Sequence, residues 1–100
     1  MIEKMMRVAC CGNKEVLTKQ DGTQGAKRQL VLQEVGGYSR YDDPQKNIGN
    51  AVVATMYGNL AECVFCQNEI VWVSLRTSVR LVNGQWYQDV TVAEIVKMKD

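Results

Sequence analysis

Residues 50–81, NAVVATMYGNLAECVFCQNEIVWVSLRTSVRL, hold two strand patterns around a short turn-helix, and the rest of the chain is placed relative to them. The first piece, residues 51–57, is rich in small and β-branched apolar side chains and stops at Gly58, while residues 69–81 alternate along their whole length. Both read as strands. Between them Asn59 is positioned to cap a short helix over residues 60–66, with Leu60, Cys63 and Val64 on one face. A helix of that length cannot stand alone.

Alternation divides the second strand into two faces. Val71, Val73, Leu75, Thr77, Val79 and Leu81 form the core side, and Ile70, Trp72, Ser74, Arg76, Ser78 and Arg80 the other. A Trp followed at even steps by two Arg makes a surface on which a flat, anion-bearing ligand can lie. The plainer reading is an ordinary exposed face, with Trp72 partly covered by a neighbouring subunit or loop.

Working outward, residues 4–18 form a long first strand with Met6, Val8, Cys10 and Gly12 on one face and Arg7, Ala9, Cys11 and Asn13 on the other. Gly12 is a natural place for a bulge or bend, which lets one strand serve two halves of a closed sheet. Asp21-Gly22 marks the turn that follows. The second strand, residues 27–35, buries Leu30 and Leu32. The longest loop comes next, residues 36–50, GGYSRYDDPQKNIGN. A loop of this length is usually functional or disordered, and Tyr38, Arg40 and Tyr41 are the residue types that stack on bases and contact phosphate. Near the end, Asn83-Gly84 is the preferred pair for a tight hairpin. It leads into a last strand over residues 86–96, apolar enough on both sides for burial on two faces.

With 100 residues, 46% hydrophobic and 23% charged, the chain forms one domain with one modest core. No apolar run is long enough to cross a bilayer and the start lacks a secretory apolar region, so the expected location is cytoplasmic. A net charge of +1 gives no general basic field, and any nucleic-acid binding must rest on a local patch. The chain has no His. That removes the usual general base and the Ser-His and Cys-His nucleophile pairs, so an enzyme is disfavoured and no cofactor is expected. Cys63 and Cys66 form a Cys-x-x-Cys, but Cys10 and Cys11 are adjacent on a strand and point to opposite faces. Buried or partly buried free thiols are expected, with no metal site.

Three strands, a short helix and two strands, with a first strand long enough to bend, give the element order of an all-β OB-fold: a five-stranded Greek-key barrel with one short helix between strands three and four. Closure also removes the exposed strand edges of a small all-β chain. The residues themselves resemble the bacterial single-stranded DNA-binding proteins and their short primosomal N-type relatives. The resemblance lies in MYGNLAE (residues 56–62), an aromatic followed by Gly-x-Leu-Ala-Glu, in IVWVSLRT (residues 70–77), a hydrophobic strand ending in Leu-Arg-Thr, and in the closing WYQDVTVAEIVKM (residues 86–98).

This resemblance implies a homo-dimer or homo-tetramer that binds single-stranded DNA, with RNA as an alternative, at low sequence specificity in replication, repair or mobile-element transfer. Stacking would fall to Tyr57, Trp72, Tyr38 and Tyr41, and phosphate pairing to Arg76, Arg80, Arg40, Arg28 and Lys27. Two stacking Trp positions of the family correspond to Ala51 and Arg80 here, and only Tyr57 matches directly. Stacking contributes roughly 1–3 kcal/mol per base, so binding is expected to be modest. The family's acidic C-terminal tail has no counterpart before Asp100, which makes a bare core domain the expectation. The rival expectation is an OB-fold interaction or scaffolding domain that has lost nucleic-acid binding.

Overall fold

The computed structural model describes residues 2–35 and 49–98. Its elements are β1 (Ile2–Cys11), β2 (Glu15–Thr18), β3 (Gln24–Glu34), β4 (Ala51–Tyr57), a 3-10 helix (Gly58–Glu62), β5 (Ile70–Val82) and β6 (Gln85–Lys97). Strand neighbours run β1-β5-β6-β4-β3-β2, and an additional β1–β3 pairing closes the sheet into a barrel. Neighbours pair antiparallel, except that β4 and β6 meet in parallel at Thr55 and Thr91.

The single bent first strand is two strands, β1 and β2, broken over residues 12–14. Two features cause the bend. At Ala9 the register skips, so that Val8 faces Leu32 while Cys10 faces Val31, and an unpaired extra residue turns the strand. At Gly12 the backbone comes so close to β3 that its N–H donates to the Gln29 carbonyl at 2.9 Å, and an added Cβ would lie 3.1 Å from that oxygen. The bulge also exchanges the expected faces beyond Val8. Cys10 is exposed and Cys11 packs partly against the core.

The barrel interior is filled by Met6, Val8, Leu30, Leu32, Ala54, Met56, Val71, Val73, Leu75 and Val92, with Phe65 among them. Burying each large side chain contributes about 1.5–3 kcal/mol. The expected helix over residues 60–66 is instead one 3-10 turn, with Tyr57 at its N-cap and no capping side chain. Its chain turns extended at Cys63, which leaves Val64 outside and Phe65 inside. Residues of the Cys63–Cys66 stretch are held to the barrel by backbone bonds of their successors, Asn68 N–H to the Val8 carbonyl at 2.7 Å and Val8 N–H to the Glu69 carbonyl at 2.8 Å. Cys63 and Cys66 are exposed free thiols rather than buried ones.

The core side of β5 ends at Leu75. The last β1 partner among the described residues is Ile2, opposite Leu75, and β4 meets β6 only at Thr91. Beyond those points β5 and β6 continue as a two-stranded arm to the turn at Asn83 (φ 51°) and Gly84 (φ 79°), both in the left-handed conformation that a tight hairpin requires. Thr77, Val79 and Leu81 are therefore exposed, and β6 is not buried on two faces, because the arm outruns the barrel that would cover it. Among the described residues no helix is long and apolar enough to cross a membrane.

Candidate nucleic-acid interface

Paired residues in a sheet project to the same side, so the strand registers identify the members of the outer surface. Gln29 faces Thr55, Thr55 faces Thr91, and Thr91 faces Arg76, one polar row crossing β3, β4, β6 and β5. At about 4.8 Å between strands the row is roughly 14 Å wide. Two residues along from Thr55 lies Tyr57, 51% exposed and paired with Lys27 on β3. In the other direction, along the arm, Ser78 faces Asp89 and Arg80 faces Tyr87.

A diagonal track results, from Lys27 and Tyr57 through the Thr55, Thr91 and Arg76 row to Arg80 and Tyr87. Six residue steps along β4 and β6 separate Tyr57 from Tyr87, an along-strand distance of about 20 Å. Tyr57 is held at one end because the chain turns sharply after it, at Gly58 with φ 63°, leaving its ring at the lip of β4. Tyr87, 44% exposed, is stiffened by the Arg80 guanidinium 5.9 Å from its ring centroid.

The cations along the track differ in how free they are. Lys27 Nζ lies 3.4 Å from Glu15 Oε2, and Arg80 Nε lies 3.4 Å from Asp89 Oδ2. Both pairs are solvent-exposed and hold their partners weakly. Arg76 has no carboxylate partner among the described residues, which leaves its guanidinium available to an oxyanion.

Of the residues singled out in the sequence, Tyr57, Lys27, Arg76 and Arg80 come together on this surface. Arg28 does not. It faces the core residue Met56 in the register, and its Nε and Nη1 donate to the Ala61 carbonyl at 2.9 Å and the Gly12 carbonyl at 3.0 Å. Its guanidinium joins the 3-10 turn to the break between β1 and β2, and does not stand on the open face. Trp72 is also apart, 43% exposed between Met5 of β1 and Val96 of β6, four residues from Arg76 in the direction away from Arg80. Tyr38, Arg40 and Tyr41 lie outside the described residues. Tyr87, Thr55, Thr91 and Gln29 were not singled out from the sequence. For Tyr87 the signal was present, since a two-residue turn at Asn83-Gly84 sets Arg80 opposite residue 87.

No protein-family model matches the chain, and no curated protein does. Among solved structures it is similar to the second OB-fold domain of replication protein A from Methanococcus maripaludis, determined in solution by NMR. The TM-score is 0.63 at 19% identity, over 98% of this chain and 83% of that one. The fold is an OB-fold. At that identity the likeness carries the architecture and not the site residues, which rest on the register alone.

Proposed function

We propose that this OB-fold chain binds single-stranded DNA, with low sequence specificity, along the diagonal track on the outside of β3, β4, β6 and β5. The observation that carries this reading is that Lys27, Tyr57, Thr55, Thr91, Arg76, Arg80 and Tyr87 share one open surface through consecutive strand registers. Tyr57 and Tyr87 each offer a ring face to a base, and every base has such a face, so stacking confers little sequence preference. Arg76 pairs with phosphate, the threonine hydroxyls hydrogen-bond to the backbone, and Lys27 and Arg80 exchange their surface carboxylates for phosphate as the strand arrives. The chain acts as a binder and not as an enzyme, and needs no cofactor. The neighbour's name, replication protein A, and the Gly-x-Leu-Ala-Glu and Leu-Arg-Thr segments support the same ligand, in replication, repair or mobile-element transfer. Those segments also support a homo-dimer or homo-tetramer of the bacterial single-stranded DNA-binding type.

Anisotropy of a labelled oligo-dT, titrated with protein at low salt and then at rising salt, tests the reading. Saturable binding at micromolar protein is expected, with log affinity falling against log salt by about 0.7 per phosphate contact, or about 2 for three cations. An oligo-rU competitor ranks RNA against DNA. Absence of binding at low salt would refute the proposal in favour of a protein-interaction OB domain, a reading that the carboxylates beside Lys27 and Arg80 favour.

A further inference from the structure

The two faces of the β5–β6 arm divide by chemistry. One carries Arg76, Arg80, Tyr87 and Asp89 and belongs to the track. The other carries Thr77, Val79 and Leu81 from β5, opposite Val90, Gln88 and Trp86 from β6. No charge stands on this second face. Val79 is 62% exposed, Leu81 56% and Trp86 65%, and Leu81 and Trp86 are direct cross-strand partners. It is the core side of β5 continued past Leu75, beyond the last β1 partner of β5 and the β4 partner of β6 among the described residues. A two-stranded ribbon is marginal in water by itself, and apolar side chains clustered near its tip add exposed surface to that weakness.

We infer that this face packs against the same face of a second copy of the chain, arm to arm about a two-fold axis. Charge selects the occupant. An uncharged apolar face attracts neither phosphate nor an acidic or basic segment, but it is self-complementary, since nothing on it repels its own image. A two-fold contact requires only such a patch. Packing through this face leaves the opposite one, with Arg76, Arg80 and Tyr87, open on each copy, so that two tracks are presented side by side. The face offers six side chains, Thr77, Val79, Leu81, Trp86, Gln88 and Val90, against the roughly 20–30 residues a side of a standard interface, so a weak association is expected. The inference names the surface for the assembly part of the proposed function and does not depend on DNA binding.

Sedimentation equilibrium of the full chain between about 1 and 200 µM reads the assembly. The expected result is a weight-average mass rising from one chain toward two, and one chain throughout for Leu81→Glu, which places two like charges across the axis. Trp72→Phe leaves Trp86 as the only Trp, and its emission should move to shorter wavelength over the same range. Should Leu81→Glu lose its strand circular dichroism, Val79→Thr keeps the β-branched shape and should weaken association several-fold. A wild-type chain monomeric at 200 µM overturns the inference, as does a dimer unaffected by these substitutions. It also falls if the Trp72 emission, isolated by Trp86→Phe, is the one that shifts, because the contact is then the Met5, Trp72 and Val96 surface. Oligo-dT anisotropy on Leu81→Glu separates the two readings: binding by the monomeric variant supports the track without the dimer, and a dimer that binds no oligo-dT supports the contact without the track.

Discussion

At the scale of single residues, two arginines of one chain do opposite work, and their hydrogen-bond partners distinguish them. Arg76 ends a row of hydroxyl and amide side chains with no carboxylate partner among the described residues, whereas Arg28 donates to two part-buried backbone carbonyls, those of Ala61 and Gly12. Arg76→Ala should leave the thermal midpoint near its original value, weaken oligo-dT binding and make the salt slope shallower by about 0.7. Tyr57→Ala should weaken binding by roughly 1–3 kcal/mol with the slope unchanged, because stacking releases no counterions. Arg28→Met should instead lower stability by about 1–3 kcal/mol in urea unfolding, the cost of losing two charge-assisted bonds to part-buried carbonyls, with an unchanged salt slope in the folded fraction. A shallower slope for Arg28→Met would place that side chain on phosphate. Within the core, Val73→Ala removes two methyl groups from a fully buried site and should cost about 1–3 kcal/mol, with binding affected only through unfolding.

At the scale of elements, the connection from the 3-10 turn to β5 is held by a polar clasp. The Glu69 carboxylate accepts the Cys66 N–H at 2.6 Å, the Glu69 N–H donates to the Cys66 carbonyl at 3.2 Å, and Lys97 Nζ of β6 lies 3.7 Å from the carboxylate. The same Nζ sits 5.3 Å from the ring centroid of Phe65. The Cys66 backbone N–H, and Lys97 to a smaller degree, hold the Glu69 carboxyl below the ordinary glutamate range. A depressed value means that the ionised form is favoured by folding. Its contribution is present above the ordinary carboxylate pKa of about 4.3 and is lost as pH falls through the lowered value. A carboxyl NMR titration should place the Glu69 midpoint below the ordinary glutamate value, and a midpoint at or above that value would remove the clasp. The hairpin at the far end of β5 depends on backbone conformation. Gly84→Val puts a β-branched residue at φ 79° and should destabilise the arm, seen as faster amide exchange in residues 76–82 while Val73 and Val92 stay protected.

For the whole molecule, closure and overreach together decide what is available for function. β1 pairs with both β5 and β3, which closes the barrel, while β5 and β6 extend past their last β1 and β4 partners among the described residues. The track runs from barrel onto arm, so its two ends are set by different physics. Tyr57 rests on a closed, packed sheet, and Tyr87 on a ribbon. Oligo-dT should therefore slow amide exchange in the arm far more than around Val8 and Leu32, and equal protection of both would argue against a contact that reaches Tyr87. The exposed Cys63 and Cys66 flank Val64 and Phe65 on an extended piece of chain, with Cys10 and Cys11 on opposite faces of β1. Chelator should accordingly leave the thermal midpoint unchanged, and a fall of several degrees would reveal a structural metal.

The sequence by itself determined the strand alternation, the Asn83-Gly84 hairpin, the bend near Gly12 and the burial of Leu30, Leu32, Val71, Val73 and Leu75, because each depends on near neighbours in the chain: a two-residue period, a left-handed turn, a missing Cβ. It also determined the element order from which the barrel followed. Only the tertiary structure decided where the core ends. Val79 and Leu81 keep the same period as Val73 and Leu75, and nothing local records that, among the described residues, the last β1 partner of β5 lies opposite Leu75 and β4 meets β6 at one pair. The same is true of Arg28, whose partners at Gly12 and Ala61 are distant in sequence, and of Cys10, which an unpaired Ala9 turns outward. Periodicity names the face a side chain takes. Which faces find something to bury against, and which are left open for a ligand or a second copy, depends on where the other strands end.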